Sequence, residues 1–540
     1  MNGPASYRHE VVILGGGLAG LTLSLQLKQK FPALDVLVLE RRKHPVPAAA
    51  HKVGESSVEI GAHYFDTVLG LKQHLDECQL RKFGFRFFFY TQPRGDIENV
   101  TEMGASRYLN TPSYQIDRGI FENYLGEQAQ SLGVKFVHGA TVRAIDLGKN
   151  GAAHGVRYEA EGQAQQVSAR WIIDASGRAG LIKRKLGLAQ DNAHDANAVW
   201  FRIGERIDID AWSTDQQWLT RCDPPYRWLS TNHLCGEGYW AWLIPLASGS
   251  HSVGIVCDAH THPLETMNSF EKALEWFHRF QPQLARQIEA RKHLLQDFCF
   301  LRNFSYGCKQ VFSGDDRWAL TGEAGVFLDP FYSPGSDFIA ISNTYITDLI
   351  ARDLQSEHVG ARAGVYQQLY FSFYESTLSL YKDQYALFGD PQAMPVKVIW
   401  DYTYYWGILC QLFFQQRLTD LNNLGRLSAE LELAKALNRA MQDFLREWSK
   451  LTPKHTGREM LDQASLPWFA ELNRGLRDVL DDAGFRMRIK EHVALLRTLA
   501  MQIVERACAQ CPELKADEVR KFLSGVEAGS LGALLFDEAA

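Results

Sequence analysis

Apolar and polar positions along the chain separate into short apolar runs and longer stretches with helical spacing. His9–Leu14 is a nearly continuous apolar run, Leu18–Lys30 repeats at helical spacing, and residues 34–40 form a second apolar run ending in an acid. Strand, helix and strand in that order predict a βαβ unit. Residues 119–132 predict an amphipathic helix, 134–137 a strand, and 155–161 with 166–173 a hairpin around Gly162. The second hairpin run ends at Asp174-Ala-Ser-Gly-Arg178. Between 195 and 312 the strand-like segments 198–203, 238–244 and 251–257 predict an antiparallel sheet suited to carrying a substrate. Residues 318–321 return as a short strand, 336–354 have the period of a helix, and the remainder to Ala540 reads as mainly helical. Aromatic residues crowd 366–414, whereas 415–540 alternate charged and apolar residues at helical spacing.

Composition narrows the class. At 540 residues the chain exceeds one ordinary core, which predicts two or three packed lobes. A content of 46% hydrophobic and 22% charged residues fits a folded α/β protein and excludes a fibrous or disordered chain. The net charge of -6 leaves no basic excess, so no nucleic-acid partner is expected. The nine cysteines are scattered without a repeated ligand spacing, and only Cys508 and Cys511 form a CxxC. That pattern predicts reduced thiols of a cytoplasmic protein and no metal site. No run reaches the roughly 18 apolar residues a membrane span needs, so no integral membrane segment is expected.

The chemistry-bearing positions begin at the first turn. Gly15-Gly16-Gly17-Leu18-Ala19-Gly20 follows the first strand directly, with Gly15 suited to the tight turn, Gly17 to close approach of a pyrophosphate and Gly20 to helix packing. Glu40, at the end of the second strand, is placed to accept hydrogen bonds from ribose hydroxyls. Far downstream, Gly322-Glu323-Ala-Gly-Val-Phe-Leu-Asp329-Pro330 follows a short strand, and Asp117-Arg118 opens a helix. This layout resembles the FAD-dependent monooxygenase superfamily, with Glu323 standing where the superfamily carries aspartate. The resemblance implies FAD as cofactor. It implies a binding set of Gly15, Gly17, Leu18, Ala19, Gly20, Glu40, Gly54, Glu55, Ser56, Arg118, Val142, Asp174, Gly322, Glu323, Asp329, Gly335 and Ser336.

Three further segments sharpen the resemblance. Trp240-Ala-Trp242-Leu-Ile-Pro245 is similar to the Trp-x-Trp-x-Ile-Pro signature of flavin-dependent halogenases, with both tryptophans on one side of a strand. Lys82-Phe-Gly-Phe-Arg-Phe87 follows Gly54-Glu55-Ser56-Ser57 at roughly the spacing of tryptophan halogenases, which places Lys82 at their essential lysine. Asp329-Pro-Phe-Tyr332-Ser333-Pro334-Gly335-Ser336 corresponds to their halide-cradling turn, but Tyr332 replaces a catalytic glutamate and Pro334 removes one backbone donor.

The family thus implies catalytic roles for Lys82, Trp240, Trp242 and Ser333, and favours phenolic, pyrrolic or aryl-polyene substrates over tryptophan. It implies reduced FAD from a separate flavin reductase, dioxygen and a halide ion yielding hypohalous acid held at Lys82, with the aromatic substrate either free or carrier-protein-bound. An alternative keeps the fold but makes the chain a monooxygenase, reductase or desaturase without halide chemistry, and a third reading makes it a non-catalytic flavoprotein subunit. The expected fold class is α/β: a Rossmann-like FAD-binding domain at 1–190 and 313–350, an interleaved antiparallel substrate sheet at 195–312, and a helical C-terminal region or lid at 351–540.

Overall fold

Residues 7–49, 52–92, 95–454, 457–526 and 534–536 are described by the computed structural model. The chain forms two units, one drawn from residues up to 79, 116–192 and 305–374, the other from 80–115, 193–304 and 375 onward. Against the division expected from sequence, 80–115 groups with the substrate sheet, the first unit runs on to 374, and the later helices group with that sheet.

The first unit is built on a sheet ordered Phe312–Ser313, Trp318–Leu320, Gln163–Asp174, His9–Leu14, Val36–Glu40 and Lys135–His138. His9–Leu14 runs parallel to both of its neighbours, and the next strand outward on each side is parallel again. Parallel strands need crossovers that cover both faces, and the central strand is accordingly apolar without alternation over its last four residues: Val11, Val12, Ile13 and Leu14 are all fully buried. Thr141–Asp146 and His154–Ala160 extend Gln163–Asp174 as an antiparallel ribbon, so the hairpin at Gly162 forms as its alternation predicts. The helix Gly335–Leu354 docks on the helix Leu18–Lys30 through buried Asn343, whose amide donates to the Ala19 carbonyl at 3.2 Å and to the Thr22 and Tyr64 hydroxyls.

The second unit carries a sheet ordered Leu295–Leu301, Ala196–Ile203, His251–Asp258, Tyr239–Pro245, Thr231–Gly236, Phe85–Phe89, Thr101–Gly104 and Met460–Asp462. Its two faces differ in kind. Val199, Phe201, Leu234, Ala241, Leu243, Val253 and Ile255 point to one side, where they form a hydrophobic core with residues of the helices Phe270–Phe280 and Pro282–Arg291. The intervening residues, among them Phe85, Phe87, His233, Trp240 and Trp242, point to the other side. Phe85–Phe89 enters this sheet parallel to Thr231–Gly236, with Phe87 opposite His233, although more than a hundred residues separate them in sequence. The C-terminal region is helical apart from Met460–Asp462, which pairs parallel with Thr101–Gly104.

The inserted strand is anchored by charge. Glu102 is fully buried between two fully buried guanidiniums: Arg86 contacts its Oε1, and Arg227 donates from Nε to Oε1 at 2.8 Å and from Nη2 to Oε2 at 3.2 Å. Arg86 also donates to the Ala105 carbonyl, and Arg227 to the Trp218 carbonyl at 2.8 Å and to Asp210 at 3.2 Å. Removing the carboxylate charge leaves two buried cations with too little compensation, at a cost of about 3–5 kcal/mol. Glu102→Gln is therefore expected to lower stability by that order in denaturant unfolding followed by tryptophan fluorescence. A loss below about 1 kcal/mol, the size of an exposed pair, would show that the network is solvated.

Candidate functional site

The glycine turn of the first unit has three differently constrained positions. Gly15 has φ +114°, and a Cβ there would run into the Ala175 carbonyl. A Cβ on Gly20 would collide with the Gly15 carbonyl oxygen, so the helix Leu18–Lys30 approaches the strand as closely as it does only because this residue has no side chain. Gly17 is different: the nearest atoms to a Cβ there are Lys52 Nζ at 3.9 Å and Glu122 Oε1 at 4.0 Å. The missing side chain thus opens space at the positive end of a 13-residue helix with no side-chain cap, beside a cation. Leu18 and Ala19 open the helix, and Gly322, at φ +61°, brings the downstream strand's turn against the Ala19 side chain. Glu40 accepts from the Gly16 amide at 2.6 Å and the Arg42 amide at 2.7 Å, which fixes its carboxylate at the rim of the same turn.

The cations here are collected by a residue the sequence reading passed over. Glu122 is buried on the helix Arg118–Ser131 and pairs with both Arg118, one turn before it, and Lys52. Arg118 also donates to the Val53 carbonyl at 2.8 Å and lies against Gly54, whose φ is +91°. Burial, reinforced by Arg118, holds the Lys52 ammonium down to about 7. The i, i+4 spacing of Arg118 and Glu122 was a visible signal; nothing local marked Lys52. Glu323 lies 3.9 Å from Arg178 and keeps a third of its side chain exposed, yet its packed surroundings raise its carboxyl above the usual range against the pull of Arg178, Arg118, Lys183 and Lys52. An open glycine, a helix N-terminus and adjacent cations fit the pyrophosphate of a dinucleotide.

Other expected positions are engaged within the fold. The Asp174 carboxylate accepts from the Ser176 amide and hydroxyl and from the Ile182 amide at 2.7 Å, so its charge organises the turn after its own strand. Glu55 and Ser56 are buried, and the Glu55 carbonyl accepts from the Ile116 amide at 2.6 Å. Val142 lies on the antiparallel ribbon opposite Tyr158, at an irregularity in the pairing. Asp329 is fully buried and accepts from the Phe331 amide at 3.0 Å.

At the next turn, Ser333 has φ +52° and its amide donates to the Pro330 carbonyl at 2.9 Å. A left-handed serine costs about 1 kcal/mol or more and is kept only where the surroundings impose it. Pro334 precedes the helix Gly335–Leu354, whose first-turn amides have no intrahelical acceptor. Gly335 is exposed with open space at its Cβ position, whereas the Ser336 hydroxyl packs onto Gly61.

In the second unit, Lys82 is 4% exposed, with its Nζ 3.3 Å from the centroid of the Phe85 ring, a buried cation–π contact. From Phe85 the ring contacts run to His233 at 5.2 Å, from His233 to Trp240 at 5.1 Å, and from Trp240 to Trp242 at 5.7 Å. Lys82 and the two tryptophans therefore share one aromatic face. Trp242 donates from its indole to the Ser252 hydroxyl at 3.1 Å and lies across Gly254, where a Cβ would strike its ring. Trp240 donates to the Tyr385 hydroxyl at 3.4 Å, and Tyr402, on the helix Ala393–Tyr404, reaches the Phe85 ring at 6.3 Å. His233 and Gly254 carried no separate signal in the sequence. Among the described residues, no group of three or more His, Cys, Asp or Glu is placed to hold a metal, and no helix is long and apolar enough to cross a membrane.

The FAD binding domain family matches residues 8–264. The chain is 27% identical to a flavin-dependent halogenase, chlA, of Dictyostelium discoideum, over 77% of this chain and 74% of that protein. It is 26% identical to the 1H-pyrrole-2-carbonyl-[peptidyl-carrier protein] brominase of Pseudoalteromonas luteoviolacea, over 61% of this chain and 74% of that one. The halogenase PltM, solved with phloroglucinol and FAD, shares the fold with a TM-score of 0.68 at 18% identity, over 90% of this chain and 96% of that one.

The Lys52 environment gives a pH dependence with a definite sign. A bound pyrophosphate favours the charged amine, so binding takes up a proton above pH 7 and FAD affinity weakens as pH rises through about 7. Fluorescence titration is expected to show a severalfold higher Kd at pH 8.5 than at pH 6, and a weak, pH-independent Kd for Lys52→Gln. A flat wild-type profile would contradict the assignment.

Proposed function

From its similarity to flavin-dependent halogenases, we infer that this chain is an FAD-dependent halogenase of electron-rich aromatic rings. The observation that carries the reading is the buried Lys82 ammonium on the Phe85 ring, on one face with Trp240 and Trp242. Gly15, Gly17 and Gly20 with Glu40, Arg118 and Lys52 hold the cofactor's nucleotide half. Reduced FAD with dioxygen supplies the two-electron oxidation that turns halide into hypohalous acid.

The chain's own contribution is to bind, hold and direct. The left-handed Ser333 turns the chain into the helix Gly335–Leu354, whose first-turn amides at Gly335 and Ser336 offer the halide partial positive charge. Pro334 contributes no amide to that cradle. Lys82 holds the hypohalous acid by hydrogen bonding or carries the halogen as a haloamine. Its place among rings keeps water from hydrating the amine and competing with the acid. Trp240 and Trp242 wall the face and exclude water from the oxidised halogen. A separate flavin reductase supplies the reduced cofactor. The Pseudoalteromonas brominase acts on a pyrrole tethered to a carrier protein; for this chain, a phenol or pyrrole, free or so tethered, is the proposed substrate.

The test is direct. Purified protein with FAD, a flavin reductase, NADH, bromide and simple phenols is expected to yield brominated phenol by mass spectrometry. Lys82→Ala should reduce it at least a hundredfold, about 3 kcal/mol of barrier, while binding FAD normally. Hydroxylated or desaturated product formed equally well without bromide would overturn the reading.

A further inference from the structure

The parallel strands of the first unit set three turns side by side at their carboxyl ends. Gly15 follows His9–Leu14, residues 176–178 follow Gln163–Asp174, and Gly322–Ala324 follows Trp318–Leu320, while Glu40 closes Val36–Glu40 on the other flank. In an open parallel sheet a ligand lies outside these ends. With the pyrophosphate at the glycine turn and the adenosine ribose at Glu40, the flavin half of an extended cofactor leaves on the opposite flank, over Arg178 and Glu323. Neighbouring strands lie about 4.8 Å apart, so Glu323 is roughly 10 Å across the sheet from the glycine turn, in reach of the sugar-alcohol chain between pyrophosphate and isoalloxazine.

Glu323 is held there by a bracket built around Tyr306. The Tyr306 hydroxyl donates to the Glu323 carbonyl at 2.7 Å, and the Tyr306 backbone exchanges hydrogen bonds with Phe327 at 2.9 and 3.0 Å. Arg178 rests against both rings, its guanidinium carbon 5.0 Å from the Tyr306 centroid and 5.3 Å from that of Phe327, with Nη1 3.9 Å from the Glu323 carboxylate. Lys183 ties the far end of the same turn: its Nζ donates to the Gly325 carbonyl at 3.0 Å and lies 3.9 Å from the Tyr306 centroid. Arg178 and Glu323 each keep about a third of the side chain exposed, so a ligand can reach both. A pair this open adds little to stability, and its guanidinium stays charged throughout the physiological range. Its use is orientation. Glutamate has one more rotatable bond than the aspartate it replaces, so more freedom is lost in aiming it.

Resting on the dinucleotide-site reading, we propose that Arg178, seated on Tyr306 and Phe327, aims the Glu323 carboxylate at hydroxyls of the cofactor's sugar-alcohol chain. Glu323 accepts the hydrogen bonds and Arg178 is its positioning residue. With aspartate at 323, fewer torsions need fixing and the support becomes dispensable.

The experiment titrates FAD and, separately, ADP into wild type, Arg178→Gln, Glu323→Asp and the double variant by calorimetry. ADP shares the adenosine and the diphosphate but lacks the sugar-alcohol chain. Arg178→Gln is expected to raise the Kd for FAD about tenfold while that for ADP stays within about twofold of wild type. Adding Glu323→Asp to Arg178→Gln should recover most of the loss, to within about threefold of wild type.

An FAD Kd for Arg178→Gln within about twofold of wild type would overturn the proposal. So would an equal rise for FAD and ADP, which marks a contact of Arg178 with the pyrophosphate, or a double variant no better than Arg178→Gln, which marks a structural role. Should Arg178→Gln not fold, Tyr306→Phe decides, since it keeps the ring beside Arg178 and removes only the hydroxyl bond to Glu323. A rise in Kd confined to FAD supports the bracket there, and a Kd unchanged for FAD or raised equally for ADP sinks it. Failure of wild type to bind FAD would instead remove the cofactor reading itself.

Discussion

Glu102, buried between the guanidiniums of Arg86 and Arg227, is the contact on which the arrangement of the second unit depends. It ties the strand Phe85–Phe89 and its partner Thr101–Gly104 to the segment carrying Arg227, just ahead of Thr231–Gly236. A shift of that parallel register by one residue would turn Phe85 and Phe87 to the opposite face and separate Lys82 from His233 and the tryptophans. A buried ion network is weak evidence for stability but restricts register, since a slipped strand would leave a guanidinium buried away from its carboxylate. The aromatic face is thus specified by charges that lie outside it.

The first unit is governed by close approach. The helix Leu18–Lys30 rests on its strand with no room for a side chain at Gly20, and the same turn leaves room at Gly17. One glycine brings the helix N-terminus into position, and the other keeps the space before it open to an anion. Glu122, by gathering Lys52 and Arg118, places positive charge at that opening without leaving either cation uncompensated inside the protein. The two units differ in what they present: one an open glycine turn beside buried cations, the other an ammonium among rings.

Much of this was legible because the relevant patterns are local. The βαβ unit, the hairpin at Gly162, the strands near 198–203, 238–244 and 251–257 and the long helix after Gly335 all form within a few residues of their expected bounds, since apolar runs, alternation and helical period report directly on burial. The Trp240–Trp242 pair shares a face because strand geometry requires it. The partnership of residues 80–115 with the later sheet was not legible, because parallel pairing across such a separation leaves no periodic trace in either segment. The helices Phe270–Phe280 and Pro282–Arg291 went unread within a stretch judged by its strands. Lys52, Glu122 and His233 were missed for a related reason: each is ordinary in sequence, and its meaning comes from residues brought beside it by the fold. Asp174 shows the converse, a landmark in sequence whose carboxylate is spent on its own turn.

The central claim is that the protein keeps oxidised halogen at Lys82 and passes it to a ring, without releasing it as free acid. Competition measures this most directly: turnover with bromide and a fixed phenol while methionine is raised to large excess. The account predicts that wild type continues to form bromophenol at high methionine, whereas Lys82→Ala gives only methionine sulfoxide. Suppression of the wild-type product in proportion to methionine, as for hypobromous acid free in solution, would contradict it.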